Sequence, residues 1–317
     1  MRRITESEID FLRKRLQLPG GQAASSPPRP ARREGRAVPD TAADRGIEGR
    51  EQVTKLGSFL LQERFYASDR SHGNLPISCL QGMPCDAAAV HAIGGSAAHS
   101  ADARRWAFLD TETTGLAGGT GTCAFLVGVG TIEDDGFRVK LHFMRDFDEE
   151  HAMLEALARS LDAHDTVVTF NGKTFDVPLL ETRYRLKRLR NPFGDMQHLD
   201  LLHPARKLWK ERLGSCRLAR LESAVLSFER KGDIPGALIP QRYFDYLRSR
   251  DSSRLGAVFH HNALDIVSLA CLSSVLLTML AAPGRAKLHH GRDILGLARW
   301  LGQLGREAQA LGLYRKA

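Results

Sequence analysis

The chain has no pair of cysteines in a CxxC spacing. The five that occur, Cys79, Cys85, Cys123, Cys216 and Cys271, are an odd number, so neither a disulfide framework nor a zinc ribbon is indicated. Thiols of this kind suit a reducing compartment, and the expectation is a cytoplasmic protein. The opening residues, MRRITESEID, are charged and lack the apolar h-region of a secretory signal. Long apolar runs are scarce as well. The single candidate, Ile266 to Ala282, contains four Ser or Thr residues and is short for a bilayer span, so a buried helix and no membrane contact are expected. Aromatic residues make up only 7% of the chain, and no aromatic-rich platform of the RNA-recognition type is visible.

Acids are outnumbered by bases, giving 317 residues a formal charge of +8 and a pI near 9.4. Such a balance speaks to partners rather than to fold. The excess is concentrated: from Arg183 to Arg220 there are eleven Lys or Arg against Asp195, Asp200 and Glu211. Two readings are open for this window. It is either a set of solvated helix faces or a phosphate-contacting surface, with Lys187 and Arg188 as candidate contacts.

With 43% hydrophobic residues the chain can bury at least one sizeable core. Thr5 to Leu16 has the spacing of a short amphipathic helix. The stretch from Pro19 to about Lys55 is rich in Pro, Gly, Arg and Ala, so residues 1–55 are expected to be mostly disordered. Residues 56–103 form an ill-defined extension in which only GSFLLQERFY resembles a strand. From Arg105 the pattern sharpens. RWAFLD, CAFLVGVGTI and FRVKLHFM read as a three-stranded meander, with the loop TETTGLAGGTGT after the first strand and the turn EDDG after the second. A helix over Asp148 to Leu161, the strand TVVTF, a helix over Val177 to Leu189 and a strand near MQHLDL follow. Helices are then expected around Leu201–Trp209, Ser215–Leu226, Pro240–Leu247 and Leu255–Leu280. The order βββ-α-β-α-β-α over residues 104–283 predicts an α/β fold with a ribonuclease-H-like mixed sheet flanked by helices. Residues 284–317 read as a short C-terminal helical hairpin similar to one tetratricopeptide unit, which cannot bury its face alone.

Asp110 and Glu112 stand at i and i+2 at a strand end, so both carboxylates leave the sheet on one face. A lone DxE is weak, because a solvated strand end gives the same pattern. Two further acids add to it. Asp176 in TFNGKTFDVPLL follows a strand and begins a helix, with Asn171 and Gly172 supplying the turn. Asp265 lies within the apolar run ALDIVSLACL, where an unpaired charge is costly, with His260 and His261 five and four positions ahead. Clustered oxygen ligands of this kind suit hard cations such as Mg²⁺ or Mn²⁺. The glycines of GLAGGTGT do not make a nucleotide-binding loop, since a strand follows them and there is no GKS or GKT. His198 and Asp200 in HLDLLHP end a strand close to the expected site, with structural roles expected.

Over roughly Trp106 to Leu280, FLDTETTGL, FNGKTFDVPLL and HHNALDIVSL resemble, in order and spacing, the three motifs of the DEDD superfamily of 3′→5′ exonucleases. Within it the chain is similar to a group of bacterial ribonuclease-H-like proteins often followed by tetratricopeptide repeats, which share the stretches DLLHPARKLW and DIPGALIP. The resemblance implies two divalent metal ions held by Asp110, Glu112, Asp176 and Asp265. It implies a histidine base, and a loop with Thr113, Gly115 and Leu116 contacting the terminal nucleotide, with Asn171 nearby. His261 returns to the face of Asp265 after four helical residues if the helix has already begun there; His260 takes the role if it has not. The implied partner is the 3′ end of single-stranded DNA or RNA. The alternatives are a catalytically silent nucleic-acid-binding module and an assembly factor that meets a protein partner through its C-terminal helices.

Overall fold

In the computed structural model of the chain, residues 47–95, 102–115, 121–286 and 288–317 are described. The helix expected at Thr5–Leu16, most of the stretch expected to be disordered, and Leu116 lie outside the described residues.

A seven-stranded mixed sheet organises the molecule. Its strands are β1 (Arg50–Thr54), β2 (Gly57–Ala67), β5 (Trp106–Thr113), β6 (Ala124–Glu133), β7 (Gly136–Phe143), β8 (Thr166–Thr169) and β9 (Gln197–Asp200), in the order β1-β2-β7-β6-β5-β8-β9. A small hairpin, β3 (Ser71–His72) and β4 (Leu75–Pro76), stands apart from it. The first five strands of the order are antiparallel, while β8 and β9 run parallel to β5. Trp106–Leu109 and Ala124–Gly130 are buried without alternation because they are central strands covered on both sides. The expected meander and the two later strands are present.

The extension before residue 104 does not lie outside this sheet. Strand β2 pairs with β7 from Leu60↔Phe143 to Ala67↔Gly136, and β1 pairs with β2. The disorder expected through Lys55 is therefore corrected at Arg50–Thr54. That segment is an exposed edge strand whose Val53 is 68% exposed, so it carries no apolar signature to read.

The helices are α1 (Ala87–Ala92), α2 (Glu150–Leu161), α3 (Asp176–Leu186), α4 (Leu202–Leu213), α5 (Leu218–Leu221), α6 (Ile239–Ser249), α7 (Gly256–Ala281), α8 (Gly291–Gln303) and α9 (Glu307–Tyr314). The helix expected over Ser215–Leu226 is split. After α5 the chain winds into a π-helical turn at Glu222–Leu226 and leaves through Ser227 in the left-handed region, φ 53°. Helices α8 and α9 form a hairpin, and α8 packs on α4, with Arg212 Nε 2.8 Å from Asp293 Oδ1, Lys207 over the Trp300 ring, and Gly296 against the Leu208 carbonyl.

Helix α7 is long and apolar enough to cross a membrane by length and composition, but 83% of its most apolar window is buried in the protein. It lies across β5, β6 and β7. Its approach to β6 depends on two glycines in VGVG. A Cβ at Gly128 would collide with Asn262 Oδ1 and Ile266 Cδ1, and one at Gly130 with Ile266 Cγ2 and the Phe137 ring. Overpacking at such a site costs about 1–3 kcal/mol per substitution. Gly128→Ala and Gly130→Ala should each lower the free energy of unfolding in urea by about that amount; wild-type midpoints for both would mean that α7 does not need this close approach.

Candidate active site

Asp110 and Glu112 sit on β5 opposite Gly128 and Leu126, just before a register shift at Glu112/Thr113. Both are half-buried. Asp176 is the first residue of α3 and accepts a hydrogen bond from the Thr111 hydroxyl. The turn that delivers it is tied down by Asp200, whose carboxylate accepts backbone N–H bonds from Asn171 (2.7 Å), Lys173 (3.1 Å) and Leu202 (3.0 Å). Asn171 takes a left-handed φ of 68° there, and its side-chain oxygen accepts from the Thr174 hydroxyl. Asp265 comes from the third turn of α7.

These four acids feel one another. Burial, then the charges of Asp265 and Asp176, push Asp110 and Glu112 well above the usual carboxylate range. Burial lifts Asp176 to about 6 against the pull of the Thr111 hydrogen bond. Burial also raises Asp265, opposed by the charges of Arg230 and His261. Three separate elements thus converge on one anionic cluster.

What balances the cluster comes from residues the sequence leaves unmarked. Asn262 donates its side-chain N–H to Asp110 Oδ2 at 2.7 Å. The guanidinium of Arg230 bonds both oxygens of buried Glu222 at 2.6 Å, Asp233 at 3.0 Å, and Asp265. Glu222 also accepts from the Ser268 hydroxyl, which lies 2.7 Å from His72 Nε2. Asp233 Oδ1 lies 2.8 Å from His261 Nδ1. Burial would raise Asp233, but hydrogen bonds from Arg230 and His261 outweigh it and hold the carboxyl below the usual range. That contact assigns the Nδ1–H tautomer and leaves Nε2 free, 3.7 Å from Asp265 Oδ2.

The stretches DLLHPARKLW and DIPGALIP begin with Asp200 and Asp233, so their first residues hold the Asp176 turn and His261. Asn262 shows in the sequence only as a member of HHNALDIVSL. Arg230 and Glu222 give no signal, since they meet Asp265 only through the π-helical turn and the irregular chain after it.

Helix α7 begins at Gly256, so His261 shares a face with Asp265. His260 turns instead toward a groove with Arg64, Phe228 and Lys231. In the loop after β5, the Thr113 hydroxyl donates to the Gly115 carbonyl, and Thr114 bonds Cys123 in both directions. Lys187 and Arg188 follow the end of α3, about 16 Å along the axis from Asp176. Lys187 Nζ pairs with buried Glu150 at 2.9 Å, beside the bidentate Arg183. Other members of the basic window do approach the site: Arg206, Lys210 and Arg217 line a cleft of about 510 Å³ with Asn171.

Among the described residues no three His, Cys, Asp or Glu side chains stand as a ready-made ligand set. Asn262, Thr111 and Arg230 each bond one carboxylate, at Asp110, Asp176 and Asp265. The chemistry of the donors still fits a hard divalent cation: four carboxylates, three of them from the sheet end and a helix start, with their acidity suppressed by burial and, at Asp110 and Glu112, by the charges of Asp265 and Asp176.

Burial of acids in this way makes stability depend on pH. An acid whose folded-state pKa is raised favours the folded state when protonated, so its contribution is present at low pH and is lost as pH climbs from near 4 to the raised value. In metal-free protein, Asp176→Asn should therefore gain stability relative to wild type as pH rises from about 4 to about 6, by on the order of 2–3 kcal/mol. Urea unfolding at a series of pH values reads this difference; a gap independent of pH would show that burial does not raise Asp176.

A family model of the RNase_H superfamily matches residues 107–277. The uncharacterized protein YprB of Bacillus subtilis (strain 168) is 36% identical over 194 residues, a match covering 61% of this chain and 46% of that protein. The chain thus spans about half the length of this relative. The family B DNA polymerase of the hyperthermophilic archaeon Pyrobaculum calidifontis is similar over 63% of this chain and 29% of its own, with 15% identity and a TM-score of 0.43. With more than half of its residues inside the matched span and a mixed sheet that carries its acids at the end of the first matched strand, the chain belongs to the RNase_H superfamily.

Proposed function

We propose that the chain is a metal-dependent 3′→5′ exonuclease acting on single-stranded nucleic acid. The observation that carries this reading is the convergence of Asp110, Glu112, Asp176 and Asp265 beside a histidine whose far ring nitrogen is fixed by Asp233. The direction of attack rests on the resemblance of the three sequence motifs.

In this reading Asp110, Glu112, Asp176 and Asp265 would hold two divalent ions, Mg²⁺ or Mn²⁺. The ions supply, when bound, acidity for an attacking water and positive charge opposite the phosphate. Asn262 and Thr111 orient Asp110 and Asp176. His261 accepts the water's proton at Nε2, and the Asp233 carboxylate on Nδ1 stabilises the imidazolium that results. Arg230 already places one positive charge at Asp265, so a cation binding there competes with an ion pair rather than with water alone. The loop with Thr113, Gly115 and Leu116 meets the terminal nucleotide, and Arg206, Lys210 and Arg217 offer phosphate contacts beside Asn171. Lys187 is left out of these contacts, because it is committed to Glu150.

Digestion of 3′- and 5′-labelled single-stranded DNA and RNA tests the proposal. Mg²⁺ or Mn²⁺ should support shortening from the 3′ end, and chelation should abolish it. Asp265→Asn should cost at least about a hundredfold in turnover with binding largely retained, and His261→Ala about as much. Cleavage that persists without metal, or a greater loss for His260→Ala than for His261→Ala, would contradict the assignment.

A further inference from the structure

A second groove opens beside the acid cluster, between β2, the β3–β4 hairpin and the first turns of α7, with a volume of about 710 Å³. Arg64, Tyr66, Arg70, Phe228, Lys231 and His260 line it. Its floor is continuous with the site: His260 and Leu264 each precede a site residue, His261 or Asp265, and Lys231 follows Arg230.

The cations of this groove differ from three of the basic window. Arg183, Lys187 and Arg212 are tied to acids at 2.5–2.9 Å. Among the described residues none of Arg64, Arg70 and Lys231 is in an ion pair; Arg64 Nε donates to Gln62 Oε1 at 2.9 Å and the Arg64 side chain also bonds the Tyr66 hydroxyl, and the Arg70 guanidinium stands 6.0 Å from the Tyr66 ring centre. Arg70 and Lys231 are exposed. The one acid on the lining is Glu229. Two rings are interleaved with these charges. Tyr66 is half-buried on β2, and Phe228 is fixed by stacking on the buried His72 ring at 3.9 Å.

Unpaired cations alternating with held aromatic rings are what a single strand of nucleic acid requires, since phosphates need charge and unstacked bases need a flat apolar partner. We infer that this groove binds the single-stranded nucleic acid adjoining the reacting end, with Arg64, Arg70 and Lys231 on its phosphates and Tyr66 and Phe228 against its bases. The inference rests on the nuclease reading. Arg64, Tyr66 and Arg70 all precede residue 107, so the segment before the matched span contributes part of this surface, against Phe228 and Lys231 from within it.

Fluorescence anisotropy with labelled oligo(dT) and oligo(rU) of about 20 nucleotides, in chelator and across a salt series, tests it. Replacing Arg64, Arg70 and Lys231 together by Ala should raise Kd at least about tenfold and reduce the salt slope by about 2, since each single-strand phosphate contact contributes about 0.7. Arg64→Lys with Arg70→Lys should keep the wild-type slope, and Tyr66→Ala should weaken binding more than Tyr66→Phe. Wild-type affinity and slope in the triple variant overturn the groove, as does an equal loss in the lysine variant. Cleavage in Mg²⁺ is scored separately. Wild-type protein that cleaves while the triple variant binds unchanged refutes the groove and leaves the nuclease reading. Protein that binds through these residues and never cleaves supports the groove and refutes the nuclease reading.

Discussion

Helix α7 can lie on the sheet only because β6 presents Gly128 and Gly130 where any side chain would meet Asn262, Ile266 or Phe137. That one close approach governs how the acids are assembled. It brings Asn262 within hydrogen-bond distance of Asp110, turns His261 and Asp265 toward the end of β5, and buries the long apolar helix that would otherwise be exposed. The same contact that completes the core builds the site.

Its cost is electrostatic. Burial raises all four carboxylates at the meeting of β5, α3 and α7, and the charges of Asp265 and Asp176 raise Asp110 and Glu112 further, while among the described residues Arg230 bonds Asp265 as a cation. Arg230 is itself over-supplied with acids, bonding Glu222, Asp233 and Asp265 together, and Glu222 is reached in turn by Ser268 and His72. A buried network of this kind stabilises little by itself, but each member leaves a buried charge behind if it is removed. The region is therefore held in a single arrangement by mutual dependence, and the charge imbalance that remains is what a divalent cation would relieve.

The sequence makes the central strands legible because they are buried on both faces and read as unbroken apolar runs, as in RWAFLD and CAFLVGVG. It makes the acids legible because their spacing relative to strand ends and helix starts is local. Strand β1 is invisible for the opposite reason, an exposed edge with no apolar alternation. Charge density along the chain misleads at Lys187, since nothing in the window reveals that Glu150, far upstream, lies against it. Arg230 and Asp233 are equally hidden, because an irregular segment brings them to His261 and Asp265 through tertiary contact alone. What can be read from sequence is what local geometry fixes; the counter-ions of a buried site are set by packing.

The central claim is that crowded acids at this helix–sheet contact form a cation site. Titration of the metal-free protein with Mn²⁺, followed by the electron paramagnetic resonance signal of the free ion, measures it directly. The account predicts saturable uptake approaching two ions per chain in wild type, falling sharply in Asp110→Asn. A wild-type chain that leaves the free-ion signal unchanged at millimolar Mn²⁺ would contradict it.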